Sequence, residues 1–246
     1  VGELFSCLPM NKVKLHTLWL LGMLFLMTAC GDDDDYYYPS VKLEFVTVKA
    51  GADGLIQSLL PDKGELLTVA KDRTGSTISP NSARRVISNY EVNPEDATAV
   101  IYSLQSVVAP EPKGADDPAF EGGLKYDPVD VTSIWLGRDY LNMILNVKIN
   151  INSGKQHVFG MIEESVEVEG DETVVTLSLF HDANGDEENY NRRAYISVPL
   201  TKYVDEENPH QTIRIKFKYH TTDKNGVVVE SSKYCDPGFE YVPGVN

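Results

Sequence analysis

From Val41 onward, apolar and polar residues alternate in short runs separated by turn residues, and no long window keeps a helical period. The pattern predicts an all-β protein. Five strands are expected first, at Val41–Ala50, Leu55–Leu60, Glu65–Lys71, Arg84–Val92 and Thr98–Val108. Asp62-Lys63-Gly64 reads as a hairpin loop with glycine where a positive φ is needed, and Asn93-Pro94 closes the fourth strand. Five strands within residues 41–109 fit a small, partly open OB-type barrel. Residues 110–118 carry three prolines, a glycine and three acids without apolar period, as a domain linker would.

Residues 119–246 show longer alternation. Between Tyr140 and Ile151, the residues Leu141, Met143, Leu145, Val147, Ile149 and Ile151 share one face; Asn142, Asn146, Lys148 and Asn150 share the other. Further strands are expected at Gln156–Ile162, Val166–Val168, Thr173–His181, Arg193–Leu200, Thr212–His220 and Val227–Ser231, with Asn225-Gly226 as the strongest hairpin signal. Arg214, Lys216 and Lys218 point away from a face made by Ile213, Ile215, Phe217 and Tyr219. This count and spacing predict an antiparallel β-sandwich.

The segment before the strands is read as an address. Met10-Asn11-Lys12-Val13-Lys14 is basic, Leu15 to Ala29 is mostly apolar, and Cys30 follows. A membrane span needs roughly 20 apolar residues; this run is shorter and ends before four aspartates, so residues 1–29 are expected to be a signal peptide starting in truth at Met10. Met27-Thr28-Ala29-Cys30 resembles a bacterial lipobox, with Met27 where Leu, Val or Ile is more usual. That resemblance implies that Cys30 is lipidated and becomes the first mature residue. Two or more acyl chains at one site give a stable membrane anchor. Residues 30–40 then form the lipidated cysteine and an acidic tether. Its Gly31-Asp32-Asp33-Asp34-Asp35 looks like the export signal that sends Bacteroidetes lipoproteins to the outer face of the outer membrane. The outer membrane, facing the exterior, is the expected location, with the periplasmic leaflet left open.

Two stretches of the first domain, Leu55–Asp72 (LIQSLLPDKGELLTVAKD) and Ala83–Val92 (ARRVISNYEV), resemble the amino-terminal OB domain of NigD-like lipoproteins. Ser133–Met143, Gln156–Ile162 and Leu179–Leu200 look like the carboxy-terminal β-sandwich of that family. The family name comes from a bacteriocin locus in Bacteroidetes. The resemblance therefore implies a part in bacteriocin production or immunity, and no catalytic residue.

Net charge narrows the partners. At −15, with 22 basic against 37 acidic residues, the chain repels polyanions, so no nucleic acid is expected despite the OB-type barrel and the pair Arg84-Arg85. The four histidines outside the leader, His157, His181, His210 and His220, form no H-x-x-x-H pair and have no cysteine pair beside them, so no zinc site is expected. Asp182-Ala183-Asn184-Gly185-Asp186 opens like a calcium loop. The rest of that loop fails, with Glu187 where glycine is needed and Arg193 where a bidentate glutamate is needed. Asp182, Asn184 and Asp186 thus read first as a polar turn, with calcium the alternative, and no cofactor is expected.

Trp135 reads as core, or else as a sugar-stacking platform with Tyr190, Tyr195 and Tyr203 nearby. Cys235 has no partner inside an exported chain and reads as a small buried apolar residue. Glu163-Glu164 and Glu187-Glu188 read as solvated charge, although paired carboxylates could also serve a glycosidase. The expected protein is a non-catalytic lipoprotein, attached to the membrane by its anchor, that binds a protein or glycan partner at the cell surface. A glycan-binding accessory lipoprotein and a glycan hydrolase are the alternatives.

Overall fold

In the strand Val41–Ala50 (β1), Val46 and Val48 point one way and Phe45 the other, and all three are buried. A strand with both faces covered sits between two cores, and that arrangement organises the molecule. The computed structural model describes residues 41–170, 172–186 and 190–244. The leader, Cys30 and the aspartate run lie outside the described residues, and Ser40–Asn246 forms one compact unit.

β1 is followed by β2 (Ile56–Pro61), β3 (Leu67–Asp72), β4 (Ala83–Asn93) and β5 (Thr98–Ser106), which close into a barrel in the order β1-β2-β3-β5-β4. All neighbouring pairs are antiparallel except β3 with β5. The loop after β2 takes its left-handed step at Gly64, with φ of 113°. Val46, Val48, Leu59, Val86, Tyr90 and Ile101 fill the interior. The Tyr90 hydroxyl donates to Glu44 at 2.8 Å, which gives a buried polar tip its partner.

The second part contains β6 (Pro112–Gly114), β7 (Asp130–Gly137), β8 (Tyr140–Ile149), β9 (Val158–Glu169), β10 (Glu172–Asp182), β11 (Tyr190–Pro199), β12 (Ile213–Thr222) and β13 (Val228–Tyr241). They form a five-stranded sheet, β13-β12-β10-β9-β6, facing a three-stranded sheet, β11-β8-β7. The face predicted for β8 is the core: Leu141, Met143, Leu145 and Val147 meet Val175, Leu177, Ile215 and Phe217. The hairpin pairs are antiparallel as expected, while β10–β12 and β6–β9 run parallel. β11 belongs to the opposite sheet, so β12 returns beside β10 in the same direction.

Several local expectations change. The two short strands expected between Gln156 and Val168 are one, β9, which stays paired with β10 across an irregularity at Thr176/Leu177. The Trp135 run is a full strand, β7. Ile151 is 61% exposed, because Asn150 Oδ1 accepts the Asn152 amide and turns the chain before the core face resumes. The proline-rich residues 110–118 include β6 at a sheet edge, with the Pro112 carbonyl accepting from Lys202 Nζ at 2.9 Å. Just before them, Val108 bridges to Ile196 of β11.

Candidate functional site

Alternation along β4 sends Val86, Ser88 and Tyr90 into the barrel and Arg85 and Ile87 outward, toward the sandwich. Arg85 belongs to the basic pair weighed above against nucleic-acid binding, and its side chain is 2% exposed. Its guanidinium donates to both Asp62 oxygens (2.5 and 2.6 Å), to Asn142 Oδ1 of β8 (3.1 Å) and, through Nε, to Ser197 Oγ of β11 (2.9 Å). Ser197 donates to Asn142 Oδ1 at 2.6 Å, and Asn142 Nδ2 donates to Asp62 Oδ2 at 2.7 Å. Arg85 also lies over the Tyr140 ring, 4.2 Å from its centroid. Each buried polar group here has a partner on the opposite domain, which makes the closed network a strong lock. Gly137 has to be glycine for the same reason: a Cβ there would overlap the Asp62 carboxylate and the Asn142 amide.

Beside this lock, Phe45, Ile87 and Val107 of the barrel pack on Trp135, Ile144 and Tyr195 of the sandwich. Phe45 meets Trp135 edge-on at 5.3 Å and Tyr195 at 6.2 Å. A cavity of about 370 Å³ opens next to them, rimmed by Leu43, Lys63, Gln105 and Arg193. Gln105, Arg193 and Tyr195 also line a second cavity of about 770 Å³, which continues past Val108 to Lys155, His157 and Arg192. The two cavities together make a cleft along the barrel–sandwich junction.

His157, which lines the larger cavity with Asp186, belongs to a histidine chain. His181 Nδ1 lies 2.9 Å from the Asp127 carbonyl, His157 Nδ1 lies 2.9 Å from His181 Nε2, and His157 Nε2 lies 3.4 Å from Asp186 Oδ2. His181 stacks on Phe159 at 4.7 Å. Burial holds the His181 imidazole below the usual histidine range, with the Asp127 carbonyl opposing in part. The Ser153 hydroxyl and the Asn150 amide hold the Asp186 carboxyl below the usual carboxylate range.

Residues 45–107 match the NigD-like N-terminal OB domain, and residues 113–231 match the NigD-like C-terminal beta sandwich domain. The crystal structure of a NigD-like immunity protein from Bacteroides caccae is 70% identical, covers 85% of this chain and 100% of its own, and superposes with a TM-score of 0.75. This chain belongs to the NigD-like family. A protein of unknown function from Bacteroides vulgatus (17% identical, 84% of this chain and 96% of its own, TM-score 0.58) shares the fold. So does a chain from Parabacteroides distasonis (17%, 80% and 96%, TM-score 0.61). No curated protein sequence matches significantly.

In this NigD-like protein, Trp135 and Tyr195 come together at the junction, with Trp135 half-buried against Phe45. Tyr190 is 56% exposed at the start of β11. Tyr203 lies elsewhere, its hydroxyl donating to Glu163 at 2.6 Å. Asp182 Oδ1 accepts the Asn184 amide, Asn184 Nδ2 donates to the Gln156 carbonyl, and Lys155 Nζ donates to the Gly185 carbonyl. That is turn chemistry with an ammonium inside the loop. Among the described residues, no three His, Cys, Asp or Glu side chains converge on a point that could hold a metal, and Glu187 and Glu188 lie outside them. Glu163 pairs with Lys202 and Glu164 with Lys218. Cys235 is half-buried with Sγ 3.6 Å from the Phe217 carbonyl, and burial pushes its thiol up. Sequence reasoning missed Arg85, Asp62, Asn142 and Ser197 as a junction, and it missed Arg192 and Arg193 as cleft residues.

Proposed function

We propose that this NigD-like protein is a lipoprotein of the cell envelope, anchored through Cys30, that confers bacteriocin immunity by binding a protein rather than by catalysis. The observation that carries the reading is the 70% identity to the whole of a chain described as a NigD-like immunity protein. Family membership supports a non-enzymatic role. The carboxylates of Glu163 and Glu164, which a hydrolase would use, are instead tied to Lys202, Tyr203 and Lys218. Binding is further supported by a rigid junction that holds an open cleft, since a preorganised surface loses less entropy when a partner docks.

The lipobox pattern at Met27–Cys30 and the aspartates behind it support an outer-membrane anchor facing the exterior. The test is expression in a bacteriocin-sensitive Bacteroides strain, wild type beside Cys30→Ser, with a clickable fatty acid and protease shaving of intact cells. Survival, labelling and shaving of the wild type, all lost in the Cys30→Ser strain, are expected. Equal killing of expressing and non-expressing cells by the bacteriocins of related strains overturns the immunity reading. Equal labelling of both forms overturns the anchor.

A further inference from the structure

We propose that the open edge of β11, from Asn191 to Tyr195, takes an extended acidic segment of a partner protein as an added strand. The inference rests on the binding reading above and names the partner's chemistry.

β11 is the edge of the three-stranded sheet, with β8 on its inner side. On its outer side, the Val108 amide donates to the Tyr195 carbonyl and the Ser197 amide donates to the Val108 carbonyl, both at 2.9 Å. Backbone groups alternate sides along a strand. The N–H and C=O of Asn191 and Arg193, and the N–H of Tyr195, therefore face the same outer side. Among the described residues no strand lies beside them. The cause is topological: Val108 runs parallel to β11, but two residues earlier, at Ser106, the chain belongs to β5 and leaves for the barrel. The edge opens as the two paths separate, and the larger cavity of about 770 Å³ occupies the gap. A row of unpaired backbone groups beside a cavity is a template for strand addition.

Charge selects the occupant. In a chain of net charge −15, Arg192, Arg193 and Lys155 all line this cavity. Arg192 and Arg193 are exposed and make no ion pair among the described residues. As neighbours in a strand they point to opposite faces, so an added strand places consecutive side chains beside one and then the other. Two adjacent acids satisfy both. Exposed Val108, Ile151 and Tyr190 flank the arginines and favour apolar residues around those acids. A second copy pairing edge to edge would set arginines against arginines, which is unfavourable across a strand pair.

The probe is the labelled peptide acetyl-Thr-Val-Glu-Glu-Val-Thr-Val-amide, titrated by anisotropy into the compact unit Ser40–Asn246. The immunity protein from Bacteroides caccae crystallised as a chain of nearly this extent. Saturable binding is expected, with amide exchange slowed at Arg193 and Tyr195. Replacing both glutamates by lysine, or both arginines by glutamate, should weaken binding at least tenfold. Methylating alternate peptide amides tests the geometry without touching the protein: one of the two alternating sets should cost at least tenfold and the other little.

Equal binding by both methylated peptides, protection confined to other strands, or no saturation at millimolar peptide overturns the proposal. So does a concentration-dependent dimer that protects the same amides without peptide. Peptide binding without cellular immunity would remove the immunity reading alone, and immunity without peptide binding would remove the strand site alone.

Discussion

Removing the Asp62 carboxylate tests whether barrel and sandwich fold as one body. In an Asp62→Ala chain, Arg85 keeps Asn142 and Ser197 but loses its only anionic partner among the described residues, inside a junction where its side chain is 2% exposed. Breaking a buried ion pair from one side costs about 3–5 kcal/mol. Asp62 is 13% exposed and water reaches its place, so the low end, about 3 kcal/mol, is expected. With a urea slope of about 2 kcal/mol/M, that is a midpoint shift of roughly 1.5 M. The assay is urea unfolding of Ser40–Asn246, followed by the emission of Trp135 at the junction and by far-ultraviolet circular dichroism of the whole unit. Asp62→Leu combined with Arg85→Met should recover part of the loss, because no unpaired charge remains, while the buried Asn142 Nδ2 is still left without its acceptor. A shift for Asp62→Ala of the size seen for exposed pairs, under about 1 kcal/mol, would refute the sealed junction. So would two separate transitions in the wild type.

Gly137→Ala should destabilise the unit by about 1–3 kcal/mol through overpacking against Asp62 and Asn142, whereas Gly122→Ala, with open space around it, should leave the unfolding free energy measured in urea within about 0.5 kcal/mol of wild type. Phe45→Ala should cost about 3–5 kcal/mol and shift the native Trp135 emission to longer wavelength; an unchanged spectrum would contradict the edge-on packing. Burial holds the folded His181 imidazole below its usual range, so as the pH falls through about 6.5 the unfolded chain takes up a proton more readily than the folded chain, and stability falls with acidification. Urea midpoints from pH 8 to 5.5 should therefore drop more steeply for wild type than for His181→Asn, and parallel profiles would show that His181 contributes no such slope. Fluorescent oligothymidine should show no saturable binding at low salt, and saturation there would overturn the charge argument against nucleic acid.

What the sequence made legible was each strand's relation to its own core. β8 shows why: Leu141, Met143, Leu145 and Val147 keep period two and are all buried. The polar residues between them read equally well as solvated, and Lys148 is indeed exposed. Asn142 is fully buried instead, because the other face of the sheet meets the barrel. Nothing local to β8 encodes that contact, since the covering residues are Arg85 and Asp62, far away in the chain. One signal was available: Phe45-Val46 and Val86-Ile87 are adjacent apolar pairs in alternating strands, the mark of a strand covered on both faces. The cleft was less legible still. Arg192 and Arg193 matter because β5 diverges from β11 at that point, a consequence of topology that composition does not carry.

The barrel's own surfaces differ from those of an OB barrel that takes nucleic acid. OB-type barrels that take oligonucleotides use the face of strands two and three with the loops after strands one and four. Here those loops carry Asp53, and Glu95 with Asp96. Asp53 accepts the Leu55 amide at 3.0 Å, and Asp96 accepts the Thr98 hydroxyl at 2.7 Å, so both acids are fixed by the turns they cap. Their negative charge sits where phosphate would have to dock. Meanwhile the face made by β1 and β4 is spent on the sandwich, through Phe45, Arg85 and Ile87. Acids stand in those loops and the sandwich covers the β1–β4 face, whereas exposed Arg192 and Arg193 stand where the domains diverge. Tying the two domains together at Arg85 is therefore what gives the cleft its shape: if the junction loosened, the edge of β11 would remain, but the barrel wall opposite it at Gln105 would not stay in place.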